Sequence, residues 1–125
     1  MKRNIFTSIS LLFALCSCGQ QTQTINADEF EKQIIATKSE QLIDVRTPQE
    51  FAENRIKDAQ NIDFRSPNFR KEIEKLDKTK PVLIYCQSGV RSGNALAVFQ
   101  KAGFNIVYNL NGGINAWAKA GKTVE

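Results

Sequence analysis

The stretch from Pro81 to Tyr85 (PVLIY) constrains this chain most. It is the most hydrophobic run beyond the N-terminal segment, closed at one end by Pro81 and at the other by the turn residues Cys86-Gln87-Ser88-Gly89. A short, continuously apolar run bounded in this way suits a central strand buried on both faces, and such a strand needs a covering layer on each side. Gln41 to Arg46 (QLIDVR) and Asn105 to Leu110 read as further strands, and Asn61 to Phe64 as a short one. Between them lie helical patterns. Asn26 with Glu29 resembles a capping box ahead of Phe30, Ile34 and Ile35, predicting a helix through about Lys38. Thr47 with Glu50, and Pro48 at the first helical position, predicts a second. Ser66-Pro67 repeats the device before FRKEIEKL. Ser92 to Ala102 carries Leu96 and Phe99 on one face with Gly103 as its stop, and INAWAKA forms a last short helix ending at Gly121. Strands alternating with helices at this spacing predict an α/β domain, a parallel sheet with helices on both faces.

With 125 residues the chain has room for one such domain. The formal charge of +4 includes Lys2 and Arg3; without them 15 basic residues face 13 acidic ones. The basic residues are scattered, which argues against nucleic acid as a partner. Histidine is absent, so no imidazole base, catalytic dyad or imidazole metal site exists.

The first residues, MKRNIFTSISLLFALCSC, combine a basic start with an apolar run from Ile9 to Leu15 and a small-residue end, a signal-peptide pattern. That run is short for a bilayer-spanning helix, the competing reading. Leu15-Cys16-Ser17-Cys18 resembles a bacterial lipobox, with residues 1–17 as signal peptide and Cys18 as the lipidated first residue. A plain secretory signal cleaved near Ser17, or lipidation at Cys16, are its alternatives. The lipobox reading predicts an exported, lipid-anchored protein of a bacterial envelope. Residues 18–24 then carry the lipid and a polar tether or the approach to a first edge strand, and 25–125 form the domain, expected as a monomer. Cys86 is then the one remaining thiol, unpaired in an exported chain.

Cys86 falls where the most apolar strand ends and a helix begins, the edge at which open α/β sheets bind ligands. Backbone amides from Gln87 to Ser92 have no carbonyl partners at a helix start and form a concavity for negative charge. Arg91 adds a cation, and the two effects predict a lowered Cys86 pKa. Gly89 supplies the freedom such a loop needs.

At this point the chain resembles the rhodanese family from about Gln41 to Gly121. YCQSGVRS is similar to the family's active-site loop, with Cys86 as nucleophile and Arg91 closing it; DVRTPQEF and LNGGINAWAKAG resemble its first and C-terminal motifs. The resemblance implies a sulfurtransferase. Cys86 attacks the outer sulfur of thiosulfate or a similar small donor anion, releases sulfite, and holds the sulfur as a persulfide until a thiol or cyanide collects it, without metal or organic cofactor. Gln87, Ser88, Gly89, Val90, Arg91 and Ser92 bind the substrate, and the neutral Gln87 and Ser88 weaken recognition of a doubly charged donor. Asp44 and Arg46 read as a structural ion pair or a hydrogen-bonded strand end, with shaping of the site as the other reading, Arg55 as a surface charge or an attractor of the donor, and Trp117 as core. The chain departs from the family's usual Gly-His-Ile with Asn54-Arg55-Ile56, and from its Gly-Ala with Asp58-Ala59. Two other readings stand beside this one. Cysteine phosphatases share a Cys loop with a closing Arg, but with five intervening residues where this chain has four. A non-catalytic sulfur-carrier or binding module at the envelope loads once and does not turn over.

Overall fold

The computed structural model describes residues 19–125, so the expectations placed on Lys2, Arg3, Cys16 and Cys18 lie outside the described residues. Strands β1 (Gln21–Ile25), β2 (Leu42–Asp44), β3 (Gln60–Asn61), β4 (Val82–Tyr85) and β5 (Ile106–Leu110) alternate with helices α1 (Ala27–Ala36), α2 (Pro48–Glu53), α3 (Phe69–Ile73), α4 (Val90–Lys101) and α5 (Gly113–Lys119). The sheet is parallel throughout, in the order β1-β5-β4-β2-β3.

β4 is buried along its whole length because its two faces feed two cores. Val82 and Ile84 point into a cluster with Phe69, Ile73, Ala95, Phe99 and Phe104, under α3 and α4. Leu83 and Tyr85 point the other way, into a cluster with Phe30, Ile114 and Trp117, under α1 and α5. The period of two along a strand produces this division. Each fully buried large apolar side chain contributes about 2 kcal/mol, and both layers are needed to cover one strand.

Local chemistry sets the element ends, and several differ from expectation. The sheet starts at Gln21, paired with Ile106, so the tether expected over 18–24 is shorter and Gln21 to Thr24 belong to the domain. At α1, Asn26 Oδ1 accepts from the Glu29 amide at 2.9 Å, but the Glu29 carboxylate turns to Lys32. Half a capping box is therefore made, and the helix stops at Ala36, before Lys38 and Ser39 take positive φ. At α2 both halves form, Thr47 and Glu50 exchanging bonds around Pro48. β3 sits earlier than the expected Asn61–Phe64. Past Asn61 the Ile62 and Phe64 amides still donate to the carbonyls of Asp44 and Val45, but Asp63 accepts from the Arg65 amide and turns the chain. Ser66 likewise serves a turn rather than the expected cap: its Oγ accepts from the Asn68 amide, and α3 begins only at Phe69. α4 ends in a Schellman motif, the amides of Gly103 and Phe104 donating to the carbonyls of Gln100 and Phe99, with those two Phe rings 5.0 Å apart. Asp58 adopts φ +67°, a conformation Asp tolerates better than most residues.

Residues 121–125 return across the second core. Trp117 Nε1 donates to the Thr123 carbonyl at 3.0 Å, Lys122 Nζ bridges Asp28 and Glu31 of α1, and Arg55 and Glu125 exchange backbone bonds.

Candidate active site

The alternation that buries Val82 and Ile84 also sets Cys86 on the α4 face of the sheet, 1% exposed. The chain then turns within Gln87 to Gly89, and α4 starts at Val90 rather than at the expected Ser92. Gly89 makes this tightness possible with φ +95°, a conformation costly to a residue with a Cβ. Its carbonyl accepts from the Gly93 amide, so Arg91 and Ser92 lie in the first helical turn. Ser92 therefore points back at the thiol.

Cys86 Sγ accepts from the Gly89 amide at 3.1 Å and from Ser92 Oγ at 3.3 Å. Burial pushes the thiol pKa up. The Ser92 hydroxyl and the amides of Ser92, Gly89 and Ser88 act in the opposite sense and prevail, leaving it below the ordinary cysteine value. Arg91 feels the thiolate's charge, yet the hydroxyl and amides carry most of the stabilisation. Replacing Ser92 with alanine accordingly moves thiolate formation to higher pH. The check is ultraviolet thiolate absorbance against pH, with Cys86→Ser subtracted as blank; an unshifted midpoint would remove Ser92 from this role.

The loop rests on α5. The amides of Ile114 and Asn115 donate to the carbonyls of Cys86 and Gln87 at 2.9 and 3.1 Å. Contact this close requires Gly113: a Cβ there would stand 2.5 Å from both carbonyl oxygens. Gly112 takes φ +75° beneath Ala116, and Gln87 Nε2 donates to Asn115 Oδ1. LNGGINAW is thus the seat of the Cys86 loop, a role its residues did not announce in the sequence.

Two ion pairs flank the thiol. Arg91 meets Glu50 through two bonds, 2.7 and 2.8 Å. Arg46, 1% exposed, is held by Asp44 at 2.7 Å and by the carbonyl and side chain of Asn54, and it donates to Gln87 Oε1 at 3.1 Å. The Asp44–Arg46 pair is therefore structural and also steadies the loop's first residue. Asn54, one of the departures, and Glu50 are site-shaping residues that sequence reasoning missed. The pairing of Glu50 as N3 of a capping box was legible; its second partner was not.

Of the other expected residues, Ser88 and Val90 are exposed at the rim, Val90 at 67%. The Arg55 guanidinium turns to Phe51, 4.7 Å from the ring and bonded to its carbonyl. An apolar cleft of about 270 Å³ lined by Ile34, Ile35, Ile56 and Trp117 belongs to the second core's side of the sheet, opposite the thiol. Among the described residues no group of three or more Cys, Asp or Glu side chains is placed to hold a metal ion.

The Rhodanese-like domain family matches residues 26–120. A sulfurtransferase of Allochromatium vinosum is 36% identical over 97 residues, covering 78% of this chain and 89% of that protein. The thiosulfate sulfurtransferase GlpE of Shewanella oneidensis is 33% identical over 88 residues, 70% of this chain and 85% of that one. The crystal structure of a rhodanese-related protein from Thermoplasma volcanium superposes with a TM-score of 0.72 at 28% identity, covering 82% of this chain and 97% of that chain. The chain belongs to the rhodanese-like domain family, a family of sulfurtransferases.

Proposed function

We propose that the protein transfers sulfane sulfur from a small donor, thiosulfate or a chemically similar species, to a thiophilic acceptor through a persulfide on Cys86. The observation that carries this reading is the pair of donors aimed at one buried sulfur, Gly89 N and Ser92 Oγ. In the first half-reaction the Cys86 thiolate attacks the donor's outer sulfur. A new S–S bond forms, the donor's own S–S bond breaks, and its electron pair leaves with the remainder of the donor. In the second, an acceptor thiolate or cyanide takes the outer sulfur and returns the thiolate. The amides around Sγ stabilise the anionic sulfur at each stage without reorganising, as donors in an oxyanion hole do. Intact mass after donor treatment should rise by one sulfur atom on Cys86, return on adding acceptor, and support repeated turnover with both in excess. Loading once without turnover would instead identify a sulfur carrier.

The anchoring at Cys18 extends this reading to the cell envelope. Its support is the Leu15-Cys16-Ser17-Cys18 motif behind a basic and apolar leader. Cys18→Ser should release the domain from the membrane fraction or accumulate unprocessed precursor, whereas Cys16→Ser should keep a lipidated product. Membrane attachment unchanged in Cys18→Ser would remove the lipobox from the account.

A further inference from the structure

Two ion pairs stand beside the Cys86 loop. Arg91 is taken by Glu50 through both Nη atoms, and Arg46 by Asp44. Their fields reach one another: Arg91 feels Cys86 and Asp44, and Arg46 feels Glu50. Gln87, Ser88, Gly89 and Val90, the other loop residues, carry no charge. These two cations and two carboxylates cancel, and the thiolate leaves the group with one net negative charge. A donor bearing two negative charges is repelled about twice as strongly as one bearing a single charge.

Glu50 is the member that decides this balance. Its Oε2 also accepts from the Thr47 amide and hydroxyl at 3.0 and 2.9 Å, so the carboxylate is fixed before any donor arrives. Arg91 and these bonds hold its pKa far below the usual carboxylate range, and it remains ionised at any working pH.

We infer that Glu50 is a specificity-determining residue. By occupying Arg91 it makes the Cys86 loop a site for donors with at most one negative charge, the persulfides of small thiols, in preference to dianionic thiosulfate. This rests on the sulfurtransferase reading above and names its donor class. In this step the Cys86 thiolate attacks the terminal sulfur of R–S–SH, a new S–S bond forms, the donor's own S–S bond breaks, R–S⁻ departs with the electron pair, and the proton stays on the outer sulfur of the Cys86 persulfide.

The test compares second-order rates of Cys86 loading by cysteine persulfide and by thiosulfate, followed by intact mass in the purified full chain. The parent should favour the persulfide by about tenfold or more. Glu50→Gln keeps an acceptor for Thr47, since Gln also serves in a capping box, but frees Arg91 from its carboxylate; it should raise the thiosulfate rate relative to the persulfide rate by roughly tenfold. A ratio unmoved in folded Glu50→Gln overturns the inference, because a merely structural role for Glu50 would slow both donors alike. If that variant does not fold, the parent decides through ionic strength. Repulsion screened by salt makes its thiosulfate rate rise, whereas a fall would reveal an uncompensated cation and overturn the inference. Loading by neither donor would instead remove the sulfurtransferase reading itself.

Discussion

Cys86→Ser loses donor-dependent sulfur transfer by at least about a thousandfold while keeping its fold. The chemistry requires a sulfur nucleophile that stores a second sulfur and surrenders it again; a serine oxygen does neither. The structure explains why the fold survives. Burying a hydroxyl in place of a thiol, 1% exposed beside Val45 and Ile84, costs about 1–3 kcal/mol only when the hydroxyl is left without partners. Here the Gly89 amide and Ser92 hydroxyl already face that position. Steady-state transfer to cyanide and chemical denaturation on the same sample check both halves. Turnover near the parent rate would overturn the mechanism.

Gly113→Ala should damage stability and activity together. Its Cβ would stand 2.5 Å from the Cys86 and Gln87 carbonyl oxygens and 2.6 Å from the Gln87 carbonyl carbon, at a φ of +61°. These atoms are backbone and have no rotamer to escape into. The left-handed conformation alone costs about 1–2 kcal/mol. Displacing the loop from the Ile114 and Asn115 amides adds lost hydrogen bonds, for a total of about 3 kcal/mol or more. Gly121→Ala is the matched control, with a similar φ of +77° and nothing within 4 Å of its Cβ; it should lose only the conformational part, about 1–2 kcal/mol. Equal denaturation midpoints for the two variants would show that the seat beneath the loop yields freely.

The contrast between these glycines shows what the sequence could disclose. Glycine after a helix, as at Gly103 and Gly121, is a local signal, and both positions were legible as stops. Gly113 answers to atoms of Cys86 and Gln87 on a different strand-helix unit, and no local pattern encodes that approach. The same division runs through the site. PVLIY followed by CQSG located the thiol because burial and turn formation are properties of adjacent residues. Glu50 was legible as a cap, a bond spanning three positions, but its bond to Arg91 spans 41. Asn61–Phe64 suits a short strand in sequence, whereas the Asp63 side chain bends the chain there. Ser66-Pro67 failed for a similar reason: serine two residues before an amide makes a turn as readily as serine three before one makes a cap.

The dependence of the Cys86 loop on α5 also has a kinetic side. The carbonyls of Cys86 and Gln87 find their donors only on the last helix of the chain, so a ribosome-bound or partly refolded chain that has completed β4 but not α5 lacks the seat that shapes the amide ring. The sulfur then behaves as an ordinary thiol, and its acidity appears as the C-terminal helix docks. During synthesis this delays the sulfur's acidity until folding is complete, when stray oxidants meet a shielded sulfur. In a refolding experiment the appearance of thiolate absorbance becomes an internal clock for the docking of α5, read from a single native atom without an added label.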